Sequence, residues 1–73
     1  MAEINLDLRN YIVDSNAPWI ECAKQLPGDG LIVQTKIDDA DGVRNVQRLK
    51  RRGNLWFHPD GSMYVYYTPT HWR

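Results

Sequence analysis

The most informative pattern of hydrophobic and polar positions lies between Gly53 and Tyr67. Two runs of aromatic and β-branched residues flank the tetrapeptide His58 to Gly61, whose sequence is His-Pro-Asp-Gly. Proline presets φ at the second position of a type I turn, and the glycine after it accepts a left-handed conformation. The pattern therefore predicts a β-hairpin with a three-residue loop at 59–61.

The predicted loop determines the register of the hairpin, and the register determines which side chains share a face. It pairs Phe57 with Met63 and Trp56 with Tyr64. The expected core face carries Leu55, Phe57, Met63, Val65 and Tyr67. The second face, aromatic with polar tips, carries Asn54, Trp56, His58, Ser62, Tyr64 and Tyr66. A chain this small cannot easily bury both faces, so we expect the N-terminal segment, another copy of the chain or a ligand to cover the second one.

The sequence before the turn at Pro27 predicts mainly helical structure. Apolar residues at helical spacing between positions 4 and 13 predict a short helix, and a linker follows up to Pro18. Trp19–Pro27 predicts an extended entry and then one helical turn that ends before the proline.

The rest of the chain predicts strands. Alternation over Leu31–Ile37 indicates a strand, which an acidic loop at 38–42 joins to a returning strand over Val43–Lys50. His71–Trp72 predicts a short edge segment. The predicted fold class is α+β, a small antiparallel β-meander of about four strands with one or two short helices packed on it. We expect one domain over 1–73, with the N-terminal helix and linker in 1–17 and the meander in 18–72.

Charge and cysteine content narrow the classes of function. Nine Lys and Arg balance nine Asp and Glu, so no overall field attracts nucleic acid or an anionic membrane. Nucleic acid is disfavoured as a partner, although a local basic patch remains compatible with it. Cys22 is the only cysteine, and neither a leader nor an apolar run near the ~20 residues of a membrane span occurs. We therefore expect a soluble protein in a reducing compartment.

The sequence offers little material for catalysis or metal binding. Its entire stock of serine, cysteine and histidine is Ser15, Ser62, Cys22, His58 and His71. These residues lack the spacing of a nucleophilic triad or a zinc site. The acidic loop does not match a calcium-binding loop, and it is better explained as a solvated turn. We expect no enzymatic activity, no cofactor and no metal.

The remaining candidate is the basic run beside the aromatic second face. Guanidinium groups next to Trp and Tyr rings can bind phosphate and stack a base at one site, and the same residue types dominate protein–protein hot spots. The predicted binding residues are Trp56, His58, Tyr64, Tyr66, Arg48, Arg51 and Arg52. Two alternatives stay open. In the first, the basic run 48–52 is a solvated strand edge and binds nothing. In the second, the aromatic residues are buried, either under the N-terminal segment or in a dimer interface.

Three short motifs resemble those of a known group of small domains encoded by phages and prophages, whose function is unknown. Trp19-Ile20 opens the pattern, Leu26-Pro27 follows seven and eight positions after the tryptophan, and His71-Trp72 closes it. The resemblance covers about residues 18–72. It implies a bacteriophage or prophage source and action in the bacterial host cytoplasm.

Three functions follow from these observations. The first is a non-enzymatic bacteriophage accessory protein that binds and inhibits a host factor in counter-defence, a step that rests on analogy with other small phage proteins. The second is a sponge that sequesters a nucleotide or cyclic-nucleotide signal at an aromatic and arginine pocket between subunits. The third is a structural homo-oligomeric phage protein. The expected partners are a host protein or a nucleotide, and we expect a homo-oligomer.

Overall fold

A computed structural model of the chain describes residues 17–73. They form one antiparallel sheet of five strands in the order β1-β5-β2-β3-β4. The strands are β1 Ile20–Glu21, β2 Ile32–Asp39, β3 Gly42–Arg52, β4 Leu55–Phe57 and β5 His71–Trp72. The long β2–β3 hairpin forms the centre of this sheet. On its edges β4 pairs with β3 and β5 pairs with β2, and β1 pairs with the far side of β5.

The predicted α+β fold class is wrong, because residues 17–73 contain no helix and are all-β. The extended entry predicted from Trp19 is present as β1, and the turn predicted before Pro27 is a single hydrogen-bonded turn that does not continue into a helix. Ile20 pairs with Trp72 across β1 and β5, which commits this backbone to the sheet. A single turn follows, in which the Lys24 N–H donates to the Glu21 carbonyl at 3.0 Å. The helix and linker predicted over 4–17 lie almost entirely outside the described residues.

The prediction of two strands joined by an acidic turn is confirmed for β2 and β3. Asp39 pairs with Gly42, so the loop between the strands has two residues. The register then shifts between Thr35 and Ile37, where β3 contains one residue more than β2. Asn45, in this bulge, has a φ of 55°. Asn tolerates the left-handed region better than most residues, which explains how β3 absorbs the extra residue.

The hairpin predicted around His58 to Gly61 is present, but its predicted register is wrong by one residue. The turn forms as expected, with the Gly61 N–H donating to the His58 carbonyl at 2.8 Å. However, Phe57 pairs with Tyr64 instead of Met63. The cause lies at the loop, where the Asp60 carboxylate accepts hydrogen bonds from the N–H and hydroxyl of Ser62, at 3.0 and 2.7 Å. These bonds hold Ser62 in the loop and lengthen it.

The register shift exchanges the faces of the first arm of this hairpin. Trp56, expected on the exposed aromatic face, is only 2% exposed, whereas Leu55 and Met63, expected in the core, are 42% and 49% exposed. In the second arm Val65 and Tyr67 pack on the core, as predicted. The predicted three-residue loop also implies that Ser62 faces His58, but in the structure His58 lies opposite Met63.

The core lies on one face of the sheet, which we call the inner face. Its buried cluster consists of Val33, Leu49 and Trp56, one residue from each of three neighbouring strands. Partly buried residues from the chain segments that cross this face complete the packing, namely Cys22, Val65, Tyr67 and Trp72. Cys22 acts in this packing as a small hydrophobic side chain. The final strand, predicted at an edge, lies inside the sheet between β1 and β2.

Candidate functional site

The sheet separates the predicted binding residues onto two faces. Arg51 pairs with Trp56 on the inner face, beside the core. Lys50 pairs with Phe57, and Arg52 with Leu55, on the opposite face, which we call the outer face. Because side chains alternate along β3, Arg48 shares the outer face with Lys50 and Arg52. The predicted single site therefore consists of two different environments.

The outer patch is an aromatic and basic surface on the β3–β4 hairpin and the chain segment beside it. We define it by Arg48, Lys50, Arg52, Leu55, Phe57, Tyr64 and Tyr66. The Phe57 and Tyr64 rings meet edge to face with centroids 6.0 Å apart. Tyr64 and Tyr66 do the same at 5.2 Å, although Tyr66 is 80% exposed. Three aromatic rings thus form a connected row that ends in solvent.

The cations of the outer patch have no acidic partner within residues 17–73. The ion pairs in that range join Lys24 to Glu21, Lys36 to Asp38 and Arg44 to Asp39. Arg48 and Arg52 are exposed, and Lys50 extends over the loop at Gly61. Residues i and i+2 of a strand lie about 6.6 Å apart, so the three cations form a stripe along β3. The positive charge is concentrated here, although the whole chain is neutral.

His58 does not join the aromatic row. It is half-buried directly after β4, where its backbone N–H donates to the Met63 carbonyl at 2.9 Å. The nearby carboxyl of Asp60 has a pKa below its usual value, mainly because of the two hydrogen bonds from Ser62, with smaller effects from His58 and Lys50. His58 therefore contributes to the geometry of the loop, and the patch begins with Phe57 and Tyr64.

The inner face holds the other half of the predicted site. The Arg51 guanidinium carbon lies 5.7 Å from the centroid of the buried Trp56 ring. The Trp56 Nε1 is buried and has no acceptor among the described residues. Burial raises the pKa of the nearby Cys22 thiol, and the charge of Arg51 acts in the opposite direction. Here arginine and tryptophan form part of the protein interior, which excludes Trp56 from an exposed binding face.

The tryptophans of the family-like motifs have structural contacts that the sequence pattern did not predict. Trp19 lies between two cations, with Lys36 Nζ at 4.5 Å and Arg73 Cζ at 4.1 Å from its ring centroid. The Arg73 side chain is held in place by a hydrogen bond from its Nε–H to Gln34 Oε1 at 2.8 Å. Trp72 donates from Nε1 to the Gln25 carbonyl at 2.8 Å. Their partners come from distant parts of the chain, so no local signal could reveal them.

The acidic loop carries an exposed ion pair between Asp39 and Arg44. Arg44 Nη1 and Nη2 lie 2.8 and 3.1 Å from the two carboxylate oxygens of Asp39. Asp39 Oδ1 also accepts the Asp41 N–H at 2.9 Å. Among residues 17–73 there is no group of three or more His, Cys, Asp or Glu that could hold a metal ion.

We expect Asp39→Asn to reduce the loss of stability in acid. The hydrogen bonds from Arg44, followed by that from Asp41, hold the pKa of Asp39 below its ordinary value of 3.8. The folded state therefore favours the ionised carboxyl, and this stabilisation is present above pH 3.8 and is lost as the pH falls through the lower pKa of the folded state. Urea unfolding at pH 6 and pH 2.5 measures the difference. Asp41→Asn is the control, and an equal acid response in both variants would contradict the prediction.

Comparison with known proteins adds no assignment to this geometry. No helix in the described part of the chain is long and apolar enough to cross a membrane. No protein-family model, curated protein or solved structure matches this chain. The resemblance to phage-encoded domains therefore stays a prediction from the three motifs.

Proposed function

We propose that the chain is a non-enzymatic binding protein that holds and inhibits a host factor through the outer patch. The observation that carries this proposal is the exposed row of aromatic rings, in which Tyr66 is 80% exposed while its ring meets that of Tyr64 edge to face. A tyrosine held in place by aromatic contacts loses little conformational freedom on binding, and it presents apolar area with a polar tip. Such residues are enriched where one protein binds another.

The cation stripe beside the rings favours an acidic protein surface as the partner. Arg48, Lys50 and Arg52 lie along the patch without an acidic partner in residues 17–73. Complementary charge increases the association rate and selects among partners, while buried aromatic and arginine side chains supply most of the affinity. Leu55, which is 42% exposed, adds apolar area to the centre.

The biological setting of the proposal comes from the motif resemblance. A phage-encoded protein would act in the bacterial cytoplasm, and binding without catalysis is sufficient to block a host defence factor. This step is an analogy at the level of the protein class. The nucleotide alternative needs stacked bases and bound phosphates on the same patch, and the structural alternative needs the patch to bind a second copy of this chain.

We expect Tyr66→Ala to weaken partner binding about 30-fold without unfolding the protein. Truncation of a hot-spot tyrosine costs about 2 kcal/mol or more, which weakens affinity about 30-fold. An exposed side chain contributes within about 0.5 kcal/mol to folding. The measurement is quantitative mass spectrometry of proteins captured from a bacterial lysate, followed by calorimetry with the captured protein after purification.

Val43→Ala is the matched control, because Val43 is 58% exposed at the opposite end of β3. Equal binding by wild type, Tyr66→Ala and Val43→Ala would refute the outer patch as the site. Native mass spectrometry separates the alternatives. A retained nucleotide, with a thermal shift that is lost in Tyr64→Ala, would favour the sponge. A ligand-free oligomer that Tyr66→Ala dissociates would favour the structural role.

A further inference from the structure

A second concave surface lies on the inner face, away from the outer patch. This inner cavity has a volume of about 690 Å³ and is lined in part by Leu26, Trp56 and Pro69. Trp56 is 2% exposed and Pro69 is fully buried, so these walls belong to the packed core. Sites for small molecules have volumes of roughly 300–1,000 Å³ and are mostly apolar with a few polar groups. The inner cavity fits this description.

Arg51 is the one Lys or Arg among the described residues that line the inner cavity, where Glu21, Asp38 and His71 also contribute polar groups. Arg51 lines it, with the guanidinium beside the Trp56 ring, and has no acidic partner within residues 17–73. The half-buried thiol of Cys22 lines the same space, and the raised pKa of that thiol indicates that burial outweighs the charge of Arg51 there. An arginine in partly apolar surroundings attracts an oxyanion more strongly than one in open water.

Two carboxylates at the inner cavity limit the charge of its ligand. Glu21 and Asp38 both line it, and each is paired with a lysine, Lys24 at 3.6 Å and Lys36 at 3.1 Å. The pairing leaves the Arg51 guanidinium as the permanent cation that a ligand would meet, and the His71 ring, whose Nδ1 lies 2.7 Å from Thr70 Oγ1, lines the same space. The two acids still repel a ligand with several negative groups, such as a triphosphate.

We propose that the inner cavity binds a small molecule with an apolar body and a single oxyanion. The oxyanion pairs with Arg51, and the apolar body packs against the exposed side chain of Leu26 and the half-buried Cys22, in front of the buried Trp56 and Pro69. A carboxylate and a phosphate monoester present the same oxygen chemistry to a guanidinium, so both belong to the ligand class. This site is separate from the outer patch, because Arg51 and Arg52 point to opposite faces of β3.

The test uses the fluorescent probe 8-anilinonaphthalene-1-sulfonate, which combines an apolar aromatic body with one sulfonate. It is titrated into the full chain and into the variants Arg51→Met and Arg52→Met. Loss of a charge-assisted hydrogen bond should weaken binding about tenfold in Arg51→Met. Arg52→Met should stay within twofold of wild type, because that side chain lies on the outer face. Near-UV circular dichroism of each variant checks that the fold is retained.

A second variant, Ala23→Phe, tests the same site if Arg51→Met does not fold. Ala23 is exposed at the rim of the inner cavity, so Ala23→Phe should obstruct entry while leaving Arg51 in place. Absence of saturable probe binding to wild type would overturn the proposal. So would equal affinities in Arg51→Met and Arg52→Met, or weaker binding in Tyr66→Ala, since the last result would place the probe on the outer patch.

Competition then identifies the oxyanion. Displacement of the probe by benzoate or by phenyl phosphate supports the proposal, and the more effective competitor distinguishes a carboxylate from a phosphate ligand. Failure of both to displace it would overturn the proposed ligand class. Partner capture through Tyr66 is independent of these results, so each proposal can fail without the other.

Discussion

Replacing Trp56 with alanine is expected to cause the largest loss of stability among single substitutions in the described chain. The side chain is 2% exposed and packs with Val33 and Leu49. Truncation of a buried tryptophan costs about 3–5 kcal/mol through lost burial and the cavity left behind. Stability is about 0.05–0.15 kcal/mol per residue, so this is a large fraction of the total for 73 residues. Urea unfolding followed by circular dichroism measures the change.

The neighbouring residue provides the control for the register. Leu55 is 42% exposed on the opposite face, so Leu55→Ala should cost under about 1 kcal/mol. The three-residue loop predicted from the turn sequence would reverse this order, because it places Leu55 in the core and Trp56 outside. A Leu55→Ala variant that is less stable than Trp56→Ala would show that the hairpin has the three-residue register.

The second large effect is expected for Leu49→Ala. Leu49 has no exposed surface and lies in β3 between Val33 on one neighbouring strand and Trp56 on the other. Removal of a buried leucine side chain costs about 2–5 kcal/mol, and the upper end applies where rigid neighbours cannot collapse into the space. A shift of about 4–8 °C in the melting temperature is expected for each kcal/mol in a domain of this size.

Val46→Ala is the control in the same strand, since Val46 is 58% exposed near the bulge. We expect its effect to stay within about 0.5 kcal/mol. If Val46→Ala and Leu49→Ala lowered stability equally, the alternation of buried and exposed positions in β3 would be incorrect. The assignment of Arg48 and Arg52 to the outer patch, and of Arg51 to the inner cavity, would then lose its basis.

Local patterns predicted the elements of this sheet better than their arrangement. Alternation over Leu31–Ile37 was sufficient for β2, and Val33, Thr35 and Ile37 are buried as the pattern indicates. The turn at His58 to Gly61 was also predicted, because proline and glycine restrict the backbone locally. Among the candidate site residues, the exposure of Tyr64 and Tyr66 agrees with the prediction.

The sequence predictions are incomplete or wrong where a distant or competing contact determines the strand pairing or the register. Two hydrogen bonds from Ser62 to the Asp60 carboxylate lengthen a loop and move Trp56 from the expected surface into the core. The local sequence permits either loop length, since both keep the same turn. The partner of β1 is likewise beyond local prediction, because β5, some 50 residues away, pairs with Ile20–Glu21.

The sequence by itself determined the strands, the turns and the concentration of basic and aromatic residues in one part of the chain, because these depend on neighbours along the backbone. Only the tertiary structure decided that Arg51 faces the interior while Arg48 and Arg52 face outward with the tyrosines. That division depends on the pairing of β3 with β4, in which a shift of one residue exchanges the two faces. It is the reason why one predicted site became an outer patch and an inner cavity.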